Sequence, residues 1–371
     1  MKTSLFYTLT LGMALAACNA GVDEPAPLPV DDGAEISLAV TGDAMTRRDG
    51  ASDYDLDYLI SESSWPGNQN YFKVDAYMQS DLSKKYIDSY VMYNTYLTEK
   101  PWRFCTTGGE QNTYYWPGNQ VFDFFAYAPA MSGGAATPPS IASNGITYDG
   151  FDHEANKHTL TCDLRSFKDG DQESLTEFVY AYETDKTQAQ HADTGVTLHF
   201  QHPLSAIFVR LASGFLNTDL YSVTFTGAAD GANGRGIYYE GTGTCGTDGT
   251  TWTVKEGATA SDFNIDIYMT MGYEMFIGNV YEKPFLVMPQ TLTDRQGLED
   301  VVIKIRYRKP NGSNTLVVTL PVTNEVKEWE AGKAYVYALD LGKDDSITVG
   351  VTVEPWSYKG DYTEVGVDED D

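Results

Sequence analysis

The sequence predicts an all-β protein built of sandwiches, and three observations carry that expectation. Short runs of alternating apolar and polar residues recur from one end to the other, clusters of Gly, Pro, Asn and Asp separate them, and no apolar helical periodicity lasts longer than about three turns. Composition agrees, since 26 Tyr alongside many Val, Thr and Phe suit pleated surfaces. At 371 residues the chain exceeds one typical sandwich and suits two domains, each large enough to bury its own core.

Taken in order, residues 1–17 read as a lipoprotein signal peptide. Lys2 supplies a positive start, Leu5 to Met13 an apolar run too short to span a bilayer, and Leu15-Ala16-Ala17 leads into Cys18. Cys18 is the expected lipidation site, where several acyl chains on one residue anchor stably. Asn19 rather than Asp follows it, which directs the product to the outer membrane. Residues 18–33, rich in Pro, Gly and acidic side chains, form a flexible tether. Ile36, Leu38 and Val40 then face one way while Ser37, Ala39 and Thr41 face the other, a half-buried first strand.

The same alternation marks Phe72-Val74-Ala76-Met78, Phe122-Phe124-Ala126, Ile207-Val209-Leu211, Phe263-Ile265-Ile267 and Ile347-Val349-Val351-Val353. Val302-Lys304-Arg306 forms the polar face of another strand. Glu183 to Thr194 is nearly free of large apolar groups and reads as a linker, dividing the chain into domains 34–194 and 195–371. Trp65-Pro66-Gly67-Asn68-Gln69 recurs as Trp116-Pro117-Gly118-Asn119-Gln120, but the flanks differ, so these are two similar turns with Pro-Gly at the centre of each.

Charge and motifs narrow the function. A net charge of -28, with carboxylates spread along the chain and no basic stripe, excludes nucleic acid as a partner. Cys105, Cys162 and Cys245 allow at most one bridge, and whether any two of them pair is open. His153-Glu154 with His158 has the wrong spacing for a zinc helix, and Asp53, Asp55 and Asp57 are followed by Tyr58 where a calcium loop needs Gly. Ser64 stands where that loop needs Glu, and His199 and His202 read as structural. No metal, cofactor or catalytic residue is nominated: there is no nucleophile elbow or phosphate loop, and nothing selects a carboxylate pair among 53 acids. The expectation is a non-enzyme.

Several segments together resemble the fimbrillin family of fimbrillin-like and Mfa-like lipoproteins, subunits of type V pili. They are Tyr114-Tyr115-Trp116-Pro117 with Phe122 to Pro129, Leu198-His199-Phe200-Gln201-His202-Pro203-Leu204, Val287-Met288-Pro289-Gln290, Ala331 to Leu341, and Val353-Glu354-Pro355-Trp356. Ser205-Ala206 departs from the Ala-Lys more usual in the family. The resemblance implies two transthyretin-like β-sandwich domains in tandem and assembly by strand exchange. An Arg-specific protease removes the first strand, and a C-terminal strand of a neighbouring subunit fills the groove. Arg47 and Arg48 follow the first strand in a polar stretch and are the expected cleavage sites. Ile347, Val349, Val351 and Val353 form one candidate donor, although a strand internal to the second sandwich explains them equally well; Tyr358, Tyr362, Val365 and Val367 form another. The leading expectation is a fimbrial structural subunit or adhesin whose partners are other pilus subunits, the outer membrane through its lipid, and a host protein or glycan. The rival is a monomeric surface lipoprotein that binds glycans through exposed aromatics.

Overall fold

The computed structural model describes residues 33–42, 71–93, 101–106, 109–132, 135–136, 145–153, 155–167, 178–212, 218–227, 236–269, 285–295, 299–309, 315–322, 326–342 and 346–356. In chain order the first ten strands are β1 (Leu38–Gly42), β2 (Tyr71–Met78), β3 (Asp81–Tyr93), β4 (Trp102–Cys105), β5 (Val121–Ser132), β6 (Ala135–Ala136), β7 (Ile146–Asp152), β8 (Lys157–Asp163), β9 (Val179–Thr187) and β10 (Val196–Phe200). There follow β11 (Ser205–Leu211), β12 (Asp219–Gly227), β13 (Glu240–Gly246), β14 (Gly249–Val254), β15 (Phe263–Met269) and β16 (Phe285–Val287). The last are β17 (Gln290–Thr291), β18 (Val301–Arg308), β19 (Leu316–Pro321), β20 (Glu328–Trp329), β21 (Lys333–Leu341) and β22 (Ile347–Pro355). Among the described residues the only α-helix is the single turn Gln188–His191, and no helix is long and apolar enough to cross a membrane.

The first core lies between a sheet in the order β4-β3-β2-β5-β6, joined by β9 at β5, and the two-stranded pair β1-β10. Alternation explains it: Phe72, Val74 and Ala76 of β2, Phe122, Phe124 and Ala126 of β5, and Val196, Leu198 and Phe200 of β10 point into one cluster. The opposite face of the large sheet is also covered. Phe125 of β5 stacks on His158 of β8 with centroids 3.8 Å apart, and Tyr77 of β2 meets Phe151 of β7 at 4.6 Å. Burial on both faces is why β5 reads as an almost unbroken apolar run rather than a clean alternation.

The second core is a sandwich of β16-β11-β21-β22 over β15-β12-β18-β19. Phe225 of β12 packs edge-on against Tyr337 of β21 at 5.0 Å, and Phe263 of β15 against Phe285 of β16 at 6.2 Å. Val301, Ile303, Ile305 and Tyr307 of β18 are buried while Val302, Lys304 and Arg306 point outward, as the alternation predicts.

Two features differ from the expected linear division. The stretch read as a linker instead holds the end of β9, the helical turn and a tight turn at Gly195, after which β10 returns to the first core. Polar composition there reflects an exposed connection between neighbouring strands of one core. The chain passes to the strands of the second sandwich at Gln201 to Leu204, although Ile146, Leu160 and Tyr180 already join its buried cluster. In addition, β7 and β8 pair with β13 and β14 in a sheet ordered β14-β13-β8-β7, so strands from both sides of Thr194 share one ladder. One face of this sheet reaches from the back of the large sheet to the second sandwich: His158 lies on Phe125 at one end, and Gly241 at the other sits so close to Met288 that a Cβ would come within 2.5 Å of its sulfur, Phe125 and Met288 both belonging to one buried cluster. At the crossing, His202 stacks on Trp356 at 3.9 Å, and the indole N–H of Trp252 donates to the carbonyl of Pro203 at 2.6 Å.

Candidate functional site

The first strand occupies a seat whose two halves are built by different parts of the chain. Ahead of β1 the backbone is held by the segment 114–116: Ile36 N–H donates to Tyr114 C=O at 2.8 Å, Trp116 N–H donates to Ala34 C=O at 3.0 Å, and Glu35 bridges Tyr115. The approach is close enough that a Cβ on Gly33 would lie 2.0 Å from the Trp116 carbonyl oxygen, so only glycine fits. Beyond Ser37 the partner changes to β10, which pairs in parallel from Leu38↔Val196 to Gly42↔Phe200. Gly195, at φ +77°, makes this possible by turning the chain beneath Ser37.

The seat is apolar. Ile36 and Leu38 are 1% and 3% exposed, and Val40 packs partly buried against the same cluster, which contains Trp102, Trp116, Leu198 and Phe200. The regular strand begins at Leu38, so Ile36 belongs to the extended lead-in rather than to β1 itself. Burying Ile36 and Leu38 at about 1.5 to 3 kcal/mol each contributes roughly 3 to 6 kcal/mol, an upper value comparable with the lower range of a whole domain's stability. Glu35 and Arg103 sit 3.5 Å apart at the partly exposed entrance, where an ion pair contributes little. Arg47, Arg48 and Cys18 lie outside the described residues.

β22 is a full member of the second sandwich. It pairs antiparallel with β21 over nine positions, from Lys333↔Pro355 to Leu341↔Ile347, and is the last strand of its sheet. Its inward face weakens along its length: Ile347 is buried, Val349 and Val351 are half-buried, and Val353 is 44% exposed. The alternative donor segment around Tyr358 to Val367 lies outside the described residues.

Other sequence candidates fall into structural roles. His158 is buried, accepts or donates a 2.7 Å hydrogen bond with the Tyr148 hydroxyl, and stacks flat on Phe125. Burial, with Lys85 and His153 nearby, pushes its pKa from 6.5 down to about 3. His199 pairs with Glu183 at 2.6 Å on the surface. Cys105, Cys162 and Cys245 are free and buried; desolvation holds the Cys105 thiol up at about 12 and raises the other two, the opposite of a nucleophile's environment. Among the described residues no three His, Cys, Asp or Glu side chains group as metal ligands. Sequence reasoning missed the strap at 114–116 and its contact glycine, Gly33. The readable signal was the Trp-Pro-Gly turn: Gly118 adopts φ +65° and Trp116 is fully buried, edge-on to Phe122 at 5.6 Å.

The fimbrillin-like family matches residues 61–356, and the chain belongs to that family. Among solved structures, a Bacteroides ovatus protein proposed to act in cell adhesion is 18% identical, covers 88% of this chain and 99% of its own, and superposes with a TM-score of 0.48. A fimbrial assembly protein of Parabacteroides distasonis is 13% identical over 87% of this chain and 99% of its own, at 0.37. The tip fimbrial protein Mfa3 of Porphyromonas gingivalis, truncated at its C-terminus, is 12% identical over 77% of this chain and 94% of its own, at 0.32. Among curated proteins none matches.

Proposed function

We propose that this protein is a structural subunit or adhesin of a type V fimbria, without enzymatic activity. In this reading it is exported as an outer-membrane lipoprotein acylated at Cys18 and assembled on the cell surface by strand exchange. Its two lobes act as tandem transthyretin-like domains. Cleavage after Arg47 or Arg48 removes the lead-in and β1, opening the seat between the 114–116 strap and β10 to a C-terminal strand of a neighbouring subunit.

The observation that carries this reading is the seat itself. A short terminal strand that fills a core through Ile36 and Leu38 lies only five residues upstream of a paired-arginine site, Gly42 to Arg47. Its removal would leave apolar pockets together with unpaired backbone on the strap and on β10, which a matching extended segment fills. Family membership supports the same conclusion. The two donor candidates make different demands. Using β22 requires it to leave a nine-residue ladder, whereas a segment beyond Trp356 leaves the second sandwich whole.

The test is to treat purified protein with an Arg-specific protease and follow SDS-resistant multimers, with N-terminal sequencing of the product. Cleavage should begin the product at Arg48 or Asp49 and yield multimers, and Ala substitution of both arginines should block them. A cleaved protein that stays monomeric at high concentration would overturn the strand-exchange reading.

A further inference from the structure

A cleft of about 560 Å³ opens where the β13-β14 hairpin faces the paired strands β17 and β20. Its size is that of a small-ligand site. The aromatic element is Trp252, half-buried on β14 directly opposite Gly243 of β13. Gly243 is what lets the indole lie down: a Cβ there would sit 3.0 Å from Cζ3 of the ring. The Nε1–H bond to Pro203 then fixes the ring's orientation. An aromatic surface held in one pose loses little entropy when a ligand is laid on it.

The remaining lining mixes threonines and acidic residues with Gly246, Gly249, Pro289, Gln290, Ala331 and the buried Trp329, and holds no cationic residue. Thr247, Thr251 and Thr291 bring donors and acceptors, and Asp248, Glu328 and Glu330 bring acceptors only. Gln290 is committed to the protein, bonding Tyr238 N–H and the carbonyls of Tyr238 and Met288. Three carboxylates reject an anionic ligand. A cationic ligand would use the carboxylates but, having only donors, would leave the threonine O–H donors unanswered. Vicinal ligand hydroxyls both give and accept hydrogen bonds, and an apolar C–H face suits the fixed indole.

We propose that this cleft is a binding site for neutral saccharides, with a pyranose ring stacked on Trp252 and its hydroxyls bonded to the threonines and to Asp248, Glu328 and Glu330. This deepens the adhesin half of the function proposed above by naming a ligand class. It is separate from strand exchange, although the two places are neighbours: Gln201, next to Phe200 of β10, donates to the Thr247 carbonyl at the cleft at 2.7 Å.

The test uses the uncleaved full chain, so that failure to bind sugar is separable from failure to polymerise. Lactose, maltotriose, sialyllactose and oligolysine are compared by saturation-transfer NMR and tryptophan fluorescence. Lactose or maltotriose should bind in roughly the millimolar range and sialyllactose at least about tenfold more weakly. Trp252→Phe, which keeps an aromatic face but loses the bond to Pro203, should weaken binding less than Trp252→Ala, which should weaken it about tenfold or more with circular dichroism unchanged. Glu328→Arg, on the exposed rim, should also weaken binding about tenfold or more and serves if Trp252→Ala misfolds. Absence of signal with both neutral sugars, equal binding of sialyllactose, binding of oligolysine alone, or full binding by folded Trp252→Ala or Glu328→Arg protein would each overturn the proposal.

Discussion

Shortening Leu38 to alanine tests whether the first strand is held chiefly by its apolar face. Leu38 is 3% exposed, lies opposite Val196 in the parallel ladder, and shares a cluster with Ile36, Trp116 and Leu198. Removing a buried leucine side chain costs about 2 to 5 kcal/mol, with the lower end favoured where a short strand can shift to close the gap. At a urea slope near 2 kcal/mol/M, even the lower value moves the midpoint down by about 1 M. Hydrogen exchange should localise the loss, with amides of β2, β5 and β10 exposed sooner and those of β12, β18 and β21 unchanged. The same substitution should leave the stability of a cleaved protein untouched, because the altered strand is gone. If strand release limits assembly, 2 kcal/mol of weakened seating should speed multimer formation after cleavage by about 30-fold. A stability loss below about 0.5 kcal/mol, or equal loss of protection in the second sandwich, would refute the reasoning.

Four further outcomes are expected. His158 is held neutral in the fold at about 3 against 6.5 when unfolded, so the unfolded chain alone takes up its proton; stability is intact above pH 6.5 and declines toward pH 3, by up to about 1.4 kcal/mol per unit. His158→Phe keeps the ring on Phe125 and should flatten that decline in a pH series of urea melts, although Asp75, whose carboxyl is raised by desolvation, acts in the opposite sense in acid; parallel curves would count against the assignment. Gly33→Ala, which drives a Cβ into the Trp116 carbonyl, should displace the lead-in and make residues 33–37 protease-sensitive while the second sandwich keeps its melting transition. Cys18→Ser should abolish acylation, and unchanged partition of that variant into detergent would exclude the lipid anchor. Asp at both Val349 and Val351 should unfold the second sandwich, read by circular dichroism, since both side chains pack against its core in the uncleaved chain.

Much of the strand content was legible because a half-buried strand writes its inward face into every second residue. Phe72-Val74-Ala76 and the runs around Ile207, Phe263 and Ile347 are strands for that reason. Alternation reports a face and not a partner, so the pairing of β1 with β10 and of β8 with β13 could not be read from it. β13 was silent altogether, since Gly241 and Gly243 stand where a strand signal would need apolar side chains, and their absence is what admits Met288 and Trp252. The polar stretch before Gly195 misled because exposure marks a loop between neighbouring strands as well as a link between domains. At the candidate site, the inward pair Ile36 and Leu38 was readable, whereas the strap that holds Ile36 acts through backbone carbonyls and amides and is marked in the sequence only by the Trp-Pro-Gly turn and Gly33.

The shared sheet also changes how the molecule should answer to mechanical load. Two lobes joined only through Gln201 to Leu204 would swivel, and a row of such units would behave as a string. Here six register pairs between β8 and β13 lie across the joint, with His158 bearing on one lobe and Gly241 on the other. The sheet acts as a splint against bending and torsion, while the continuous backbone takes axial tension. Bending between the two lobes should therefore be stiffer than a single-strand connection would allow.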